Sequence, residues 1–253
     1  VTHLADTPII RVENAAKAYS GRLAIAPLSF TVAEGEKVAV LGPSGSGKTT
    51  LLHLTAGIIH PDSGTVELGG HATSELGAGG ESASLVGAIH QQYDLVGHLS
   101  VVHNVLAGRL GRWGLLRSLW SLLSPQDLGL AEDALERVGL LERLYERTSR
   151  LSGGEQQRVA IARLLVQDPR VIVADEPVAS LDPARARDLL ILLSSVASDA
   201  GKTLVASLHS TELATEFFDR AIGLRDGLVV FDLPVMELDR GILDDLYHLE
   251  VAG

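Results

Sequence analysis

The sequence predicts an α/β fold interrupted by a helical insertion, and three features of the chain predict it. A brief apolar run, Lys37 to Leu41, leads at once into Gly and Pro and then into a helical pattern from Lys48 to Ile59. From Ser100 to Leu144 the pattern turns helical, with apolar Leu128, Ala131, Leu135 and Val138 set between charges. After Gly154 strands and helices alternate again.

In chain order, residues 9–19, 26–33 and 64–69 are predicted as short strands bounded by Gly, Pro and Asp. Asp62-Ser63-Gly64 is a turn signal, and the Gly-rich stretch 69–80 is expected to be a flexible loop. Residues 86–89 form another strand. Within the helical insertion the early acids (Asp127, Glu132, Asp133) and the late Arg137 match the helix dipole. Further on, 171–174 is a buried strand, 184–198 a helix, 203–208 a strand and 211–218 a helix. Residues 221–224 and 228–231 close a hairpin around Asp226-Gly227.

Composition excludes several functions. Lysine and arginine number 21 against 32 acids, a net charge of −11, so non-specific binding to nucleic acid is not expected. There is no cysteine, which removes disulfides and thiolate metal sites and fits a reducing compartment. The N-terminus lacks the basic start and apolar run of a signal peptide. The longest apolar stretch, 113–123, is broken by Arg117 and too short to span a bilayer. The expectation is a soluble chain whose membrane role comes through a partner.

Gly42-Pro43-Ser44-Gly45-Ser46-Gly47-Lys48-Thr49 fits G-x-x-x-x-G-K-[ST], with Thr50 following. Such a loop wraps backbone N–H groups around a polyphosphate at a helix N-terminus. Lys48 would reach the β- and γ-phosphates, and the Thr49 hydroxyl would coordinate Mg²⁺. A P-loop alone leaves kinases, GTPases and motor ATPases open. The strand 171–174 ends in Asp175-Glu176. Beside a P-loop, Asp175 can hold magnesium and Glu176 can polarise the attacking water. Ser152, Gly153, Gly154 and Glu155 open a helix and form a second anion cradle. One nucleotide seldom needs two cradles in one chain, so the second is read as serving a nucleotide held by another copy.

Leu151 to Gln156 (LSGGEQ) resembles the signature of the ABC ATPase family, and the similarity extends from about Ile9 to Asp232. The resemblance implies the ABC-ATPase P-loop fold with an antiparallel β subdomain. A single cassette would span 1–253, with its core over about 1–90 and 156–253 and a helical subdomain over about 91–155. Asp175-Glu176 matches the Walker B end, Asp182 lies in the D-loop match Ser180-Leu181-Asp182, and His209 matches the switch histidine. Tyr19 matches the adenine-stacking aromatic; by its residue type it could equally be a strand-end core residue. Gln91 and Gln92 are both candidates by chemistry, and only the family's pattern favours Gln91 as the magnesium-linked Q-loop glutamine. His209 on its own could be an interior histidine.

Three departures stand out. Glu155 replaces the more frequent Gln, His90 stands where relatives often have Phe, and 77–84 lacks the usual basic residues. The resemblance further implies a head-to-tail homodimer with each ATP between the P-loop of one copy and Ser152–Gly154 of the other. It also implies permease subunits gripped by the region from Gln91 to Arg150, and a location at the cytoplasmic face of the membrane. Trp113 and Trp120, seven apart, are expected to share a helical face, covering the insertion's core or meeting the permease. The stretches 104–111, 175–183 and 222–232 look like the phosphonate-importer branch, which implies an extracytoplasmic solute-binding protein. An exporter of the lipoprotein or macrolide type is the main rival. A non-transport ABC protein and a P-loop kinase are the alternatives of other classes. No regulatory domain is expected after Asp232.

Overall fold

The structure, a computed structural model, describes residues 8–247 except 78, 79, 91, 92, 124 and 180. In chain order the strands and helices begin with β1 (Pro8–Tyr19), β2 (Arg22–Ala33), β3 (Lys37–Leu41) and α1 (Lys48–Thr55). Then come β4 (Ser63–Leu68), β5 (His71–Ala72), α2 (Gly80–Leu85), β6 (Val86–Ile89), α3 (Val101–Leu106), α4 (Leu115–Leu123) and α5 (Leu128–Arg137). The chain continues through α6 (Gly153–Gln167), β7 (Val171–Ala174), α7 (Pro183–Asp199), β8 (Thr203–Leu208) and α8 (Thr211–Phe217). It closes with β9 (Arg220–Arg225), β10 (Leu228–Pro234) and α9 (Arg240–Tyr247). Two compact units result: one runs up to Leu76 and resumes at Val173, the other is Gly77–Ile172.

The first unit contains an antiparallel sheet in the order β2-β1-β4-β5. Ser20 and Gly21, both at positive φ, join β1 to β2 in the two-residue turn that matches strand twist. Ile10, Val12, Ile25, Val32, Val66 and Leu68 are among its buried residues. Asp62 fixes the start of β4: one oxygen accepts from Lys17 Nζ at 2.7 Å, the other from the Ala18 N–H at 2.8 Å. The Lys17 hydrogen bond holds the Asp62 carboxyl below the usual carboxylate range.

The same unit holds β3 between β8 and β9, parallel to both, with β10 antiparallel outside β9 and β7 outside β8. Strands β7 and β8 are buried throughout, as parallel strands covered on both faces are. Parallel pairing brings the carboxyl ends of β3 and β8 to one edge: Val40 pairs with Ser207 and Leu41 with Leu208. Ligands bind at such an edge in α/β proteins.

Two elements differ from expectation here. Helix α1 stops at Thr55 rather than Ile59, because Gly57 at φ 68 forms a left-handed cap. Ile58 N–H then bonds to His53 O and Gly57 N–H to Leu54 O. The Gly-rich stretch after Leu68 is not simply a loop. Gly69 and Gly70, both at positive φ, turn the chain into β5, and Leu68 pairs with His71.

In the second unit the pattern expected to be helical from 100 to 144 is broken into α3, a 3₁₀ turn over 107–112, α4 and α5. Gly108 approaches α6 so closely that a Cβ there would lie 2.4 Å from the Arg163 carbonyl oxygen. Buried Asn104 ties the loop before α3 by accepting from Val96 N–H and donating to Val96 O. Arg163 holds the Tyr93 and Asp94 carbonyls at 3.0 Å, and burial pushes its guanidinium pKa down. The helical spacing of Trp113 and Trp120 does not hold. Trp113 is extended, precedes α4 and lies under Arg117 at 4.9 Å, whereas Trp120 is on α4 and 61% exposed. Among the described residues no helix is long and apolar enough to cross a membrane.

Gly108→Ala is expected to destabilise the chain by about 1–3 kcal/mol through overpacking. Gly114→Ala, with nothing within 4 Å of the new methyl, serves as the control. Urea denaturation midpoints compare the two, and equal midpoints would contradict the steric account.

Candidate active site

The P-loop leaves β3 at Leu41 and enters α1 at Lys48. Two of its glycines are required by close approach. A Cβ on Gly42 would lie 2.1 Å from the Leu224 carbonyl oxygen, and one on Gly47 would lie 2.5 Å from that of Ala24. Gly45, at φ 81 with open space around it, is needed for conformation instead. Ser46 accepts from the Gly227 N–H at 3.0 Å through its carbonyl. Its hydroxyl is buried and has no partner among the described residues. Pro43 is half-buried, Ser44 and Thr49 are exposed, and Thr50 is half-buried.

Lys48 is 4% exposed, and its ammonium donates to the carbonyls of Gly42 at 2.9 Å and Pro43 at 3.0 Å. Burial pulls its pKa down, while the charges of Glu176 and then Asp175 pull it up. An ammonium has three donors, so these two bonds leave one for an anion.

Asp175 and Glu176 follow β7 and are bridged by a residue that sequence reasoning missed. Ser207 Oγ accepts from the Glu176 N–H at 2.7 Å and donates to Asp175 Oδ1 at 2.7 Å. Ser207 is fully buried in β8. A hydroxyl at the penultimate position of a buried apolar strand was the available signal. Glu176 adopts φ 47, a left-handed conformation that is rare and strained outside glycine. His209, on the chain leaving β8, brings Nε2 within 2.8 Å of Glu176 Oε1. Its side chain is 43% exposed, so it is not an interior histidine. Glu176 and His209 open onto a cavity of about 480 Å³ that also touches Leu181, Leu213 and Glu216.

Tyr19 stands at the β1–β2 turn, 49% exposed with the Lys17 ammonium 5.8 Å from its ring centre, so it is not a core residue. Asp182 caps α7 by accepting from the Arg185 N–H at 3.1 Å, and it pairs with the Arg185 side chain. Gln91, like Gln92, lies outside the described residues.

In the second unit Ser152 caps α6 in a reciprocal box with Glu155. Ser152 Oγ accepts from the Glu155 N–H at 3.3 Å, and Glu155 Oε2 accepts from the Ser152 N–H at 2.8 Å and its hydroxyl at 2.7 Å. This gives the Glu155 substitution a physical role, because a carboxylate suits a helix N-terminus. The Ser152 hydrogen bonds, and then Arg143, hold its pKa below the usual range. Gly153 and Gly154 face open space.

Of the predicted residues, the structure therefore brings together Lys48, Asp175, Glu176 and His209 within one unit, with Ser207 added. The orphan Ser46 hydroxyl, the narrow glycine cradle and the spare Lys48 donor fit a polyphosphate. Among the described residues no cluster of three or more His, Asp and Glu could hold a metal. The hydroxyl of Thr49 and the carboxylate of Asp175 suit Mg²⁺, which takes one or two protein oxygens and completes its shell with phosphates and water.

Sheet order, loop and paired carboxylates define an α/β P-loop protein. Comparison with known proteins narrows this. The family model described as "ABC transporter" matches residues 25–179. A Phosphonates import ATP-binding protein (PhnC 1) of Nostoc sp. is 46% identical over 248 residues, which is 96% of this chain and 94% of that protein. Another, from Pseudomonas aeruginosa, is 47% identical over 232 residues, 91% of this chain and 87% of that protein. A bacterial ABC transporter cassette solved as a dimer matches with TM-score 0.77 and 31% identity, covering 89% of this chain and 98% of that one. A dimeric ATP-binding cassette in a post-hydrolysis state, bound to ADP and Pi, gives 0.73 and 29% over 89% and 98%. The chain belongs to the ABC transporter family.

Ser207→Ala leaves the partly buried Glu176 N–H without its acceptor, at a cost of about 1–3 kcal/mol. ATP turnover is expected to fall tenfold or more, on the order expected for a misplaced catalytic group, with a lowered melting temperature. Unchanged values of both would remove Ser207 from the site.

Proposed function

We propose that this chain binds and hydrolyses ATP to power an ABC importer of phosphonate or a related phosphorus oxyanion. The observation that carries the catalytic part is the contact between Glu176 and His209 on the same strand edge as Lys48. The transported class rests on the two relatives named for phosphonate import, one of which matches along 96% of this chain.

In this reading the amides of Gly42–Thr50 and the Lys48 ammonium bind the phosphates of ATP, and Tyr19 stacks on adenine. Lys48 exchanges the carbonyls of Gly42 and Pro43 for β- and γ-phosphate oxygens. Burial lowers its pKa, and both nearby carboxylates favour the charged form. Glu176 accepts the proton of the attacking water through its carboxylate, while His209 holds the other side of that group and meets the γ-phosphate. Thr49, Asp175 and Gln91 would hold Mg²⁺. When bound, the metal would neutralise charge developing on the phosphoryl oxygens.

The open glycines at Gly153 and Gly154 suit a second anion contact, made with ATP held by another copy. A head-to-tail homodimer follows, with Ser152, Gly153, Gly154 and Glu155 facing the partner's P-loop and Asp182 touching across. Two cradles on one triphosphate would make ATP close the dimer and hydrolysis open it. The pair would sit on permease subunits at the cytoplasmic face of the membrane, fed by an extracytoplasmic solute-binding protein. The cassette would comprise the core and helical subdomains divided near residues 91 and 155.

The test uses the transporter reconstituted with its permease and binding protein. Phosphonate is expected to stimulate ATP hydrolysis, and Glu176→Gln to lower turnover by about 10²–10³, near 3–4 kcal/mol in the barrier, with ATP retained. Lys48→Ala loses ATP binding as well as turnover. An unchanged rate for Glu176→Gln would overturn the base assignment. Stimulation by a macrolide and not by phosphonate would overturn the substrate class.

A further inference from the structure

The carboxylate of Glu155 stands where an anion would have to come. It belongs to the first turn of α6, beside the open glycines Gly153 and Gly154 assigned above to the partner's triphosphate. Two anions at one helix start compete for the same few N–H groups and repel each other. An acid at this position therefore needs a counter-charge that does not use up the cradle.

The structure supplies one from outside the helix. Arg143 Nε donates to Glu155 Oε1 at 3.2 Å, while Glu155 Oε2 takes the Ser152 N–H at 2.8 Å and the Ser152 hydroxyl at 2.7 Å. The two oxygens are thus divided between the arginine and the cap. Arg143 closes a 3₁₀ turn, Leu141–Arg143, between buried Leu140 and Leu144. The Leu144 carbonyl accepts from the Val102 N–H at 2.9 Å, and Arg158 of α6 reaches back to the Val138 carbonyl at 2.9 Å. The loop is therefore fastened on both sides of Arg143. The ion pair itself is half-exposed and contributes little to stability, so removing it leaves the fold standing.

The Ser152 hydroxyl adds a second consequence. It has one proton, and in this arrangement that proton goes to Glu155. To donate to a phosphate oxygen, the hydroxyl must turn away from the carboxylate. Arg143 on the other oxygen keeps Glu155 paired when it does.

We propose that Arg143 is a positioning residue of the second anion cradle: it neutralises Glu155 and frees the Ser152 hydroxyl for ATP held by the partner copy. The inference rests on the shared-site reading above. A neutral glutamine at 155 would have no such need, so Arg143 and Glu155 act as one functional pair. Losing Arg143 leaves an uncompensated carboxylate at the cradle and weakens ATP-driven association through a repulsion that salt screens.

The experiment uses the full chain carrying Glu176→Gln, expected above to retain ATP, and follows ATP-driven association by sedimentation velocity. Arg143→Ala is introduced twice, once with Glu155 in place and once together with Glu155→Gln. With Glu155 in place, the ATP concentration for half-association is expected to rise about three- to tenfold, the scale of one uncompensated charge near a polyanion. In the glutamine background the same substitution is expected to change it by less than about twofold, as coupled residues require. Moving from about 0.1 M to about 1 M salt cuts the screening length from about 10 Å to about 3 Å and is expected to shrink the first effect. Arg143→Gln keeps most of the side chain's reach without its charge, and it decides the matter if the alanine variant does not fold. Equal losses in the two backgrounds, no loss with Glu155 in place, or a loss that salt leaves untouched overturns the proposal. A Glu176→Gln parent that binds ATP without associating would instead overturn the shared-site reading, and one that binds no ATP would overturn the ATPase reading.

Discussion

One buried hydroxyl fixes the chemistry-bearing edge of this protein. Ser207 joins the carboxylate of Asp175 to the backbone of Glu176, and does so from a strand that is itself zipped to the P-loop strand. Without that bridge the two acids would sit at the end of a short strand with a free choice of conformation. With it, Asp175 is held by one oxygen and Glu176 is held at the N–H, at the point where the chain turns left-handed. Such a backbone conformation costs of order 1–3 kcal/mol and persists only where the surroundings over-determine it. Here the surroundings are Ser207 behind and His209 in front.

The same edge accounts for the state of Lys48. Burial disfavours its charge and the two carboxylates restore it, so the ammonium depends electrostatically on the residues that Ser207 positions. It also rests on loop carbonyls that a phosphate can replace. The glycines around it are required by the protein's own backbone as much as by any ligand. Gly42 is pressed against Leu224 and Gly47 against Ala24. Loop, hairpin tip and carboxylate pair therefore form one mechanically connected unit, and the second anion cradle lies on a separate helix start with its glycines open.

Much of this was legible beforehand. The strand β3 and the strand β8 follow directly from apolar runs bounded by turn residues, and the P-loop and the acid pair are written in contiguous residues. The misses share a cause. Helix α1 ends early because Gly57 caps it, and β5 exists because two adjacent glycines make a tight turn, where composition alone suggested flexibility. Trp113 and Trp120 have helical spacing but not a common helix, since the chain is extended at Trp113. Ser207 escaped notice because its role depends on pairing between strands far apart in sequence, a relation that local pattern does not carry. Glu155 looked like a deviation from the usual glutamine, yet its carboxylate completes a helix cap.

The central claim is that the ATP site is divided between two copies, and mixing inactive variants tests it most directly. Lys48→Ala disables the P-loop of one copy, and Gly154→Asp places a repelling carboxylate in the cradle of the other. If the site is shared, a mixed dimer contains one intact P-loop facing one intact cradle, and hydrolysis returns when the two inactive proteins are combined. If each chain completes its own site, every copy in the mixture stays defective and no activity appears; that result would contradict the account.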